Sequence, residues 1–217
     1  LTAMGLGSFL SRYVTKNLIR TFLIVEIAVG IVGGCLTLVL FAAFALIDSY
    51  LPLLVCFSLV VGSLVGLEIP LIVRILRNQT TLRTALGNVL SLDYLGAFAA
   101  SLAFPLLLVP NLGLVRTGFL FGLFNIAVAA LGIYVFRHQL SRTWGLKVSV
   151  ILSAVLLIAG LVTAGKATTL LEDMIYEDEI IFTKSPPYQR IVLTRWRGDL
   201  RLFIDGNIDD VSPAGIA

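Results

Sequence analysis

Polar residues punctuate this chain at long intervals, and apolar runs lie between them from Phe22 to Ile47, Leu51 to Ile75, Leu86 to Val109, Leu112 to Phe136 and Val148 to Ala164. About 20 helical residues cross roughly 30 Å of hydrocarbon, so each run predicts a bilayer-spanning helix. The opening stretch, Leu1 to Leu10, reads as the end of one more helix, closed by the polar segment Ser11 to Thr21 with Arg12, Lys16 and Arg20. Its apolar pattern is already under way at Leu1, which reads as a fragment or processed product. No charged region ahead of a cleavable apolar stretch marks a signal peptide. The expected fold is mainly α: a polytopic transmembrane helix bundle, five full spans plus the end of another, with a short C-terminal antiparallel β segment.

Beyond Thr169 the period changes. Glu179 to Thr183, Gln189 to Arg195 and Asp199 to Asp205 alternate apolar and polar positions, the signature of half-buried strands. Arg197-Gly198-Asp199 supplies a turn for a hairpin, and Ser185-Pro186-Pro187 interrupts the chain before it. Charge shifts at the same place: residues 1–169 hold eleven Lys and Arg against four Asp and Glu, while residues 170–217 hold five against nine. Two domains are expected, a transmembrane helical domain over 1–169 and the start of a soluble β-rich domain over 170–217.

Composition narrows the class. The chain is 58% hydrophobic and 13% charged, with a mean hydropathy of +0.99, whereas a soluble domain is about 25% charged. A water-soluble fold is not expected, and lipid is the expected solvent. Gly30, Gly33 and Gly34, with Gly62 and Gly66, give small-xxx-small spacing, which lets helix backbones approach closely. Pro70 and Pro105 predict bends. Cys35 and Cys56 sit inside apolar runs without CxxC spacing, and His138 has no nucleophile or carboxylate near it, so neither a metal site nor a catalytic histidine is expected.

Loop charge supplies an orientation. The connections 11–21, 74–83 and 137–147 are basic, and those between them, Asp48 to Pro52 and Pro110 to Gly113, carry no Lys or Arg. Basic loops stay on the cytoplasmic side, so a multi-pass protein of a bacterial inner membrane is expected, with those three connections inside. If Val148 to Ala164 crosses fully, the strands that follow emerge on the outer face; an interfacial last helix would avoid this, but the run lacks a strong amphipathic signature.

Glu26, Glu68, Asp93 and Arg116 fall within or near the ends of apolar runs, where a central charge costs roughly 2.5–3.5 kcal/mol. Glu68 is placed to approach Arg74 or Asp93, and Arg116 to snorkel outward. These residues suit either an interhelical polar clamp, joined by Asn88 and Asn125, or a substrate or proton path.

Three stretches, Leu67-Glu-Ile-Pro-Leu71, Leu92-Asp-Tyr-Leu-Gly-Ala97 and Phe104-Pro-Leu-Leu-Leu-Val-Pro110-Asn-Leu-Gly113, resemble the membrane region of bacterial transmembrane spermidine synthases. Ala3 to Arg12 resembles the end of that region's second helix. Ser185-Pro-Pro-Tyr-Gln-Arg-Ile191 and Leu200 to Asn207 are similar to the first strands of the aminopropyltransferase domain. The resemblance implies a parent enzyme that moves an aminopropyl group from decarboxylated S-adenosylmethionine to putrescine, with Gln189 helping to bind the nucleoside. It also implies a membrane part similar to half of a major-facilitator transporter. No Gly-rich nucleoside loop followed by a ribose-binding acid occurs in the tail. Asp199, Asp205, Asp209 and Asp210 read as solvated turn carboxylates, so this chain alone is expected to be inactive, to need no cofactor and to have no nucleic-acid partner. The alternative is a non-catalytic membrane subunit or transporter-like half-bundle that packs against itself or a larger complex.

Overall fold

The computed structural model describes residues 1–47, 49–77, 80–140, 143–175, 179–184, 191–196, 199–204 and 207–213. Helix α1 (Thr2–Leu10) runs into a 3-10 turn (Ser11–Tyr13). Then come α2 (Leu18–Leu46), α3 (Leu51–Leu76), α4 (Leu82–Ala103), a π turn (Phe104–Leu108), α5 (Val109–Leu112), α6 (Leu114–Val135) and α7 (Trp144–Ile175). Five stretches among the described residues are long and apolar enough to cross a membrane: Leu18–Leu46, Leu51–Leu76, Leu82–Leu112, Leu114–Val135 and Trp144–Leu171.

Helix ends differ from the hydrophobic pattern where capping chemistry outranks hydropathy. α2 begins at Leu18, inside the expected polar connection, because Asn17 takes a left-handed conformation (φ 54°) that turns the chain into the helix. α4 begins at Leu82 rather than Leu86, where the Thr81 hydroxyl accepts the Thr84 N–H at 3.3 Å. α7 runs from Trp144 to Ile175, well past both ends of the expected span and past Thr169.

The two prolines behave differently. Pro70 sits within the continuous helix α3. Pro105 falls in the π turn, where the missing proline N–H goes with a widened ladder. Asn111 Nδ2 then donates to the Leu107 carbonyl at 2.6 Å, and Gly113 (φ 78°) ends the helical path with a conformation that side-chain-bearing residues rarely adopt.

α2 is the hub, packed against α3, α6 and α7, while α1 lies along α3. The shared core holds Leu23, Leu71, Phe119, Ile126, Ala129 and Leu157. Two seams are closed by glycine. A Cβ on Gly122 of α6 would come within 2.5 Å of the Gly30 carbonyl oxygen and 2.9 Å of Gly34 Cα on α2. A Cβ on Gly66 of α3 would collide with the backbone of Met4 on α1. Only backbones without side chains reach this separation. α4 contrasts with the other helices, since none of its most apolar window is buried, and Leu92, Tyr94, Leu95 and Phe98 are exposed.

The C-terminal strands β1 (Glu179–Lys184), β2 (Ile191–Trp196), β3 (Asp199–Ile204) and β4 (Asn207–Pro213) form one antiparallel sheet in sequence order. Trp196 pairs with Asp199, as a tight hairpin requires. Three of the strands fall where alternation places them. β4 was not expected, because Asp209 and Asp210 interrupt the apolar pattern. It pairs with β3 through the backbone across a register shift between Leu202 and Phe203, in a place at the sheet edge where charged residues are favoured.

Candidate functional site

Leu23 of α2 and Leu71 of α3 are both fully buried in the shared core. Glu26 follows Leu23 by one helical turn and Glu68 precedes Leu71 by one. Residues three apart share a helix face, so both carboxyl groups lie on faces turned toward the core, and on the Glu26 face of α2 Leu23 packs against Gly132 of α6. Glu26 is only 5% exposed and makes no hydrogen bond or ion pair to a described residue. Glu68 is half buried, with its Oε1 closed off from solvent and unpartnered. Asp93, exposed on α4, and Glu26 are both close enough to Glu68 to act on its charge. At 1.5 Å per residue all three lie roughly 12–17 Å along their helices from the end where the basic connections gather, at one depth in the bundle.

The structure therefore brings together three of the four polar residues singled out within apolar runs. Of the two partners expected for Glu68, Asp93 acts on its charge, while Arg74 Nη1 donates to the Ser11 carbonyl oxygen at 2.9 Å, tying the 3-10 turn after α1 to the end of α3. Ser11 is buried there, its hydroxyl donating to the Ser8 carbonyl at 2.6 Å. Arg74→Met is expected to free that turn at a cost of roughly 1.5–3 kcal/mol, the range for a hydrogen bond to a charged group. Amide exchange at Val14 to Lys16 should quicken in the variant; unchanged protection would show that the contact holds nothing in place.

Arg116 stands apart, on the first turn of α6. It is exposed, and its guanidinium lies across Gly165 of α7, with Nη2 2.6 Å from where a Cβ would stand. Asn125 hydrogen-bonds within its own helix, Nδ2 donating to the Phe121 carbonyl at 3.1 Å, and Asn88 is exposed, so neither forms the expected interhelical bridge. Gln189, to which the family resemblance gives a nucleoside contact, lies outside the described residues.

Two features were not legible in advance. A crevice of about 220 Å³ opens between α2 and α6, lined by Gly33, Thr37, Phe104, Gly118, Phe121 and Asn125 among others. The Gly118-xxx-Gly122 spacing of α6, facing Gly30-xxx-Gly34, was the available signal. At the end of α1, the Arg12 guanidinium lies 3.6 Å from the Phe9 ring centroid and 4.7 Å from that of Tyr13, whose hydroxyl accepts from its Nη2 at 2.6 Å. This stack neutralises nothing but holds the charge against two rings.

Among the described residues, no group of three or more His, Cys, Asp or Glu side chains could hold a metal ion. With the acid cluster and the apolar helices in place, the class is a strongly apolar helical assembly bearing a small antiparallel sheet. No family model matches the chain, and no solved structure matches it significantly.

Curated relatives do match. A polyamine aminopropyltransferase of Leptospira interrogans is 41% identical over 208 residues, covering 96% of this chain and 42% of the relative. Polyamine aminopropyltransferase 2 of Ralstonia nicotianae is 46% identical over 216 residues, again 96% of this chain and 42% of the relative. The Mycobacterium tuberculosis polyamine aminopropyltransferase is 36% identical over 220 residues, with the same coverage of both chains. The protein is homologous, along nearly its whole length, to the polyamine aminopropyltransferases. It spans about two fifths of the length of these relatives, 42% in each case.

Proposed function

We propose that this chain is the membrane-embedded part of a polyamine aminopropyltransferase, a helical bundle that carries the first strands of the catalytic domain. The observation that carries the reading is the near-complete alignment at 41–46% identity with a chain holding five apolar stretches of spanning length. In the parent reaction, aminopropyl transfer from decarboxylated S-adenosylmethionine to putrescine, the amine attacks the propyl carbon beside the sulfonium, methylthioadenosine leaves and the amine loses a proton. That chemistry needs a nucleoside cradle and a base near the amine. Among the described residues, the four antiparallel strands in sequence order offer neither a βαβ turn nor a helix N-terminus for the nucleoside. These 217 residues by themselves are expected to form no spermidine. Lys and Arg in the connections at 11–21, 74–83 and 137–147 support a cytoplasmic side for that end.

Two measurements test this. The protein should stay in washed membranes through alkaline carbonate and enter solution only with detergent; release into plain buffer would end the membrane reading. Purified chain supplied with putrescine and decarboxylated S-adenosylmethionine should form no spermidine, and robust turnover would overturn the assignment of catalysis to other sequence. The exposed apolar face of α4 favours a second reading, a half-bundle that packs on a partner, which native mass in detergent would reveal as a stable oligomer.

A further inference from the structure

Connections 11–21 and 74–83 hold six Lys and Arg and no Asp or Glu. The fold brings them to one corner. α1 is locked on α3, because Ser63 and Met4 leave no room for a Cβ on Gly7 and Gly66, and Arg74 Nη1 donates to the Ser11 carbonyl oxygen at 2.9 Å. Arg12 is the next residue, so its guanidinium and that of Arg74 flank the same turn, and neither has a carboxylate partner among the described residues.

Both guanidinia are held in place with donors to spare. Arg12 lies 3.6 Å from the Phe9 ring centroid and gives Nη2 to the Tyr13 hydroxyl, a stack that covers its face and leaves Nε and Nη1 open in its plane. Arg74 spends only Nη1. Glu68 Oε1 is the only buried side-chain polar atom without a partner among the described residues, so Arg74 Nε and Nη2 reach the surface. Lys16 and Arg77, both exposed, follow these two along the chain. Guanidinium forks match the oxygens of a phosphate, and four cations without an acid disfavour a headgroup that carries its own amine.

Depth in the bundle selects the source of that phosphate. Arg74 lies in the last turn of α3 and Arg12 directly follows α1, so both stand where an apolar helix meets the headgroup layer. Phe9 and Tyr13 beside them are 50% and 65% exposed. Rings at that level favour the membrane boundary, and basic groups there attract anionic headgroups. A phosphate free in water would leave the rings bare, whereas a phospholipid covers them. We propose that Arg12 and Arg74, flanked by Lys16 and Arg77, bind the phosphate of an anionic phospholipid, with Phe9 and Tyr13 against its glycerol backbone. The site rests on the reading of these helices as membrane-embedded and is independent of aminopropyl transfer.

The test titrates phosphatidylglycerol and phosphatidylcholine separately into the chain in detergent micelles and reads the affinity of the first lipid bound by native mass spectrometry. Phosphatidylglycerol is expected to bind about threefold or more tightly, with the preference shrinking as salt rises. Arg12→Gln should cut the preference by at least about twofold, and Arg12→Lys should lose part of it, because an ammonium keeps the charge but not the planar fork. Arg116→Gln/Lys166→Gln, at the other end of the bundle, should leave it unchanged. Equal affinity for the two lipids, undiminished preference in Arg12→Gln or Arg12→Lys, the same loss in the Arg116→Gln/Lys166→Gln variant, or displacement of the lipid by millimolar inorganic phosphate would each overturn the proposal. Arg12 is exposed, so its variants keep the fold, which an unchanged unfolding midpoint verifies. A chain that withstands carbonate in washed membranes yet shows no preference ends this site and leaves the membrane reading intact; release into carbonate ends both.

Discussion

Gly122→Val is expected to destabilise the bundle by about 2–3 kcal/mol, because it prises apart the seam on which the core is assembled. The new Cβ would stand 2.5 Å from the Gly30 carbonyl oxygen and 2.9 Å from Gly34 Cα, with Leu157 Cδ1 at 3.2 Å on the third side. Two of these neighbours are backbone and cannot rotate away, so α6 must retreat from α2. The retreat would strip contacts from Ile126 and Ala129, which are almost fully buried in the same cluster. Gly33→Ala is the matching control: it stands on α2 beside Gly34, yet nothing lies within 4 Å of its added Cβ. That change should be neutral or slightly stabilising, since alanine is the better helix former by up to about 1 kcal/mol. Thermal unfolding of both variants in one detergent decides the matter, and a Gly122→Val midpoint equal to that of the unsubstituted protein would show that the α2–α6 seam is not so closely packed.

Glu26→Met has the opposite sign. Removing a buried carboxyl that has no partner, and filling its place with an unbranched apolar side chain, is expected to raise stability by about 1–3 kcal/mol, the usual penalty of an unsatisfied buried polar group. Glu68→Met should help as well, because its Oε1 is closed off from solvent and unpartnered although the side chain as a whole is half buried. A fall in the unfolding midpoint of Glu26→Met would mean that the carboxyl has a stabilising partner in the folded protein, whereas it makes no hydrogen bond to a described residue.

Much of the architecture was legible because hydropathy is a local property. The run from Leu51 to Ile75 became α3 (Leu51–Leu76) almost unchanged, since the solvent preference of each side chain is the same wherever its neighbours end up. Ends were less legible. Asn17 and Thr81 set the starts of α2 and α4 through a backbone angle and one hydrogen bond, both of which a hydropathy window averages away. β4 escaped for a related reason, as a strand at a sheet edge is held by backbone pairing with β3 and need not alternate.

The acid cluster divides in the same way. That Glu26, Glu68 and Asp93 lie in apolar surroundings followed from the residues on either side of each. Which charges meet could not be read from the chain, because Arg74 is near Glu68 in sequence but spends its guanidinium on the Ser11 carbonyl, while Glu26, far away in sequence, comes close enough to act on the charge of Glu68.

Residue order alone dictated the apolar helices, the hairpin register around Trp196 and Asp199, and the kinship that the quoted stretches carry, since each depends on neighbours along the chain. Three features emerged only from the folded arrangement: α2 is the hub, Gly122 faces Gly30 and Gly34, and Glu26 comes close enough to Glu68 to act on its charge. Helix faces pair by rotation and close approach between segments distant in sequence, and no local pattern of polarity encodes those angles.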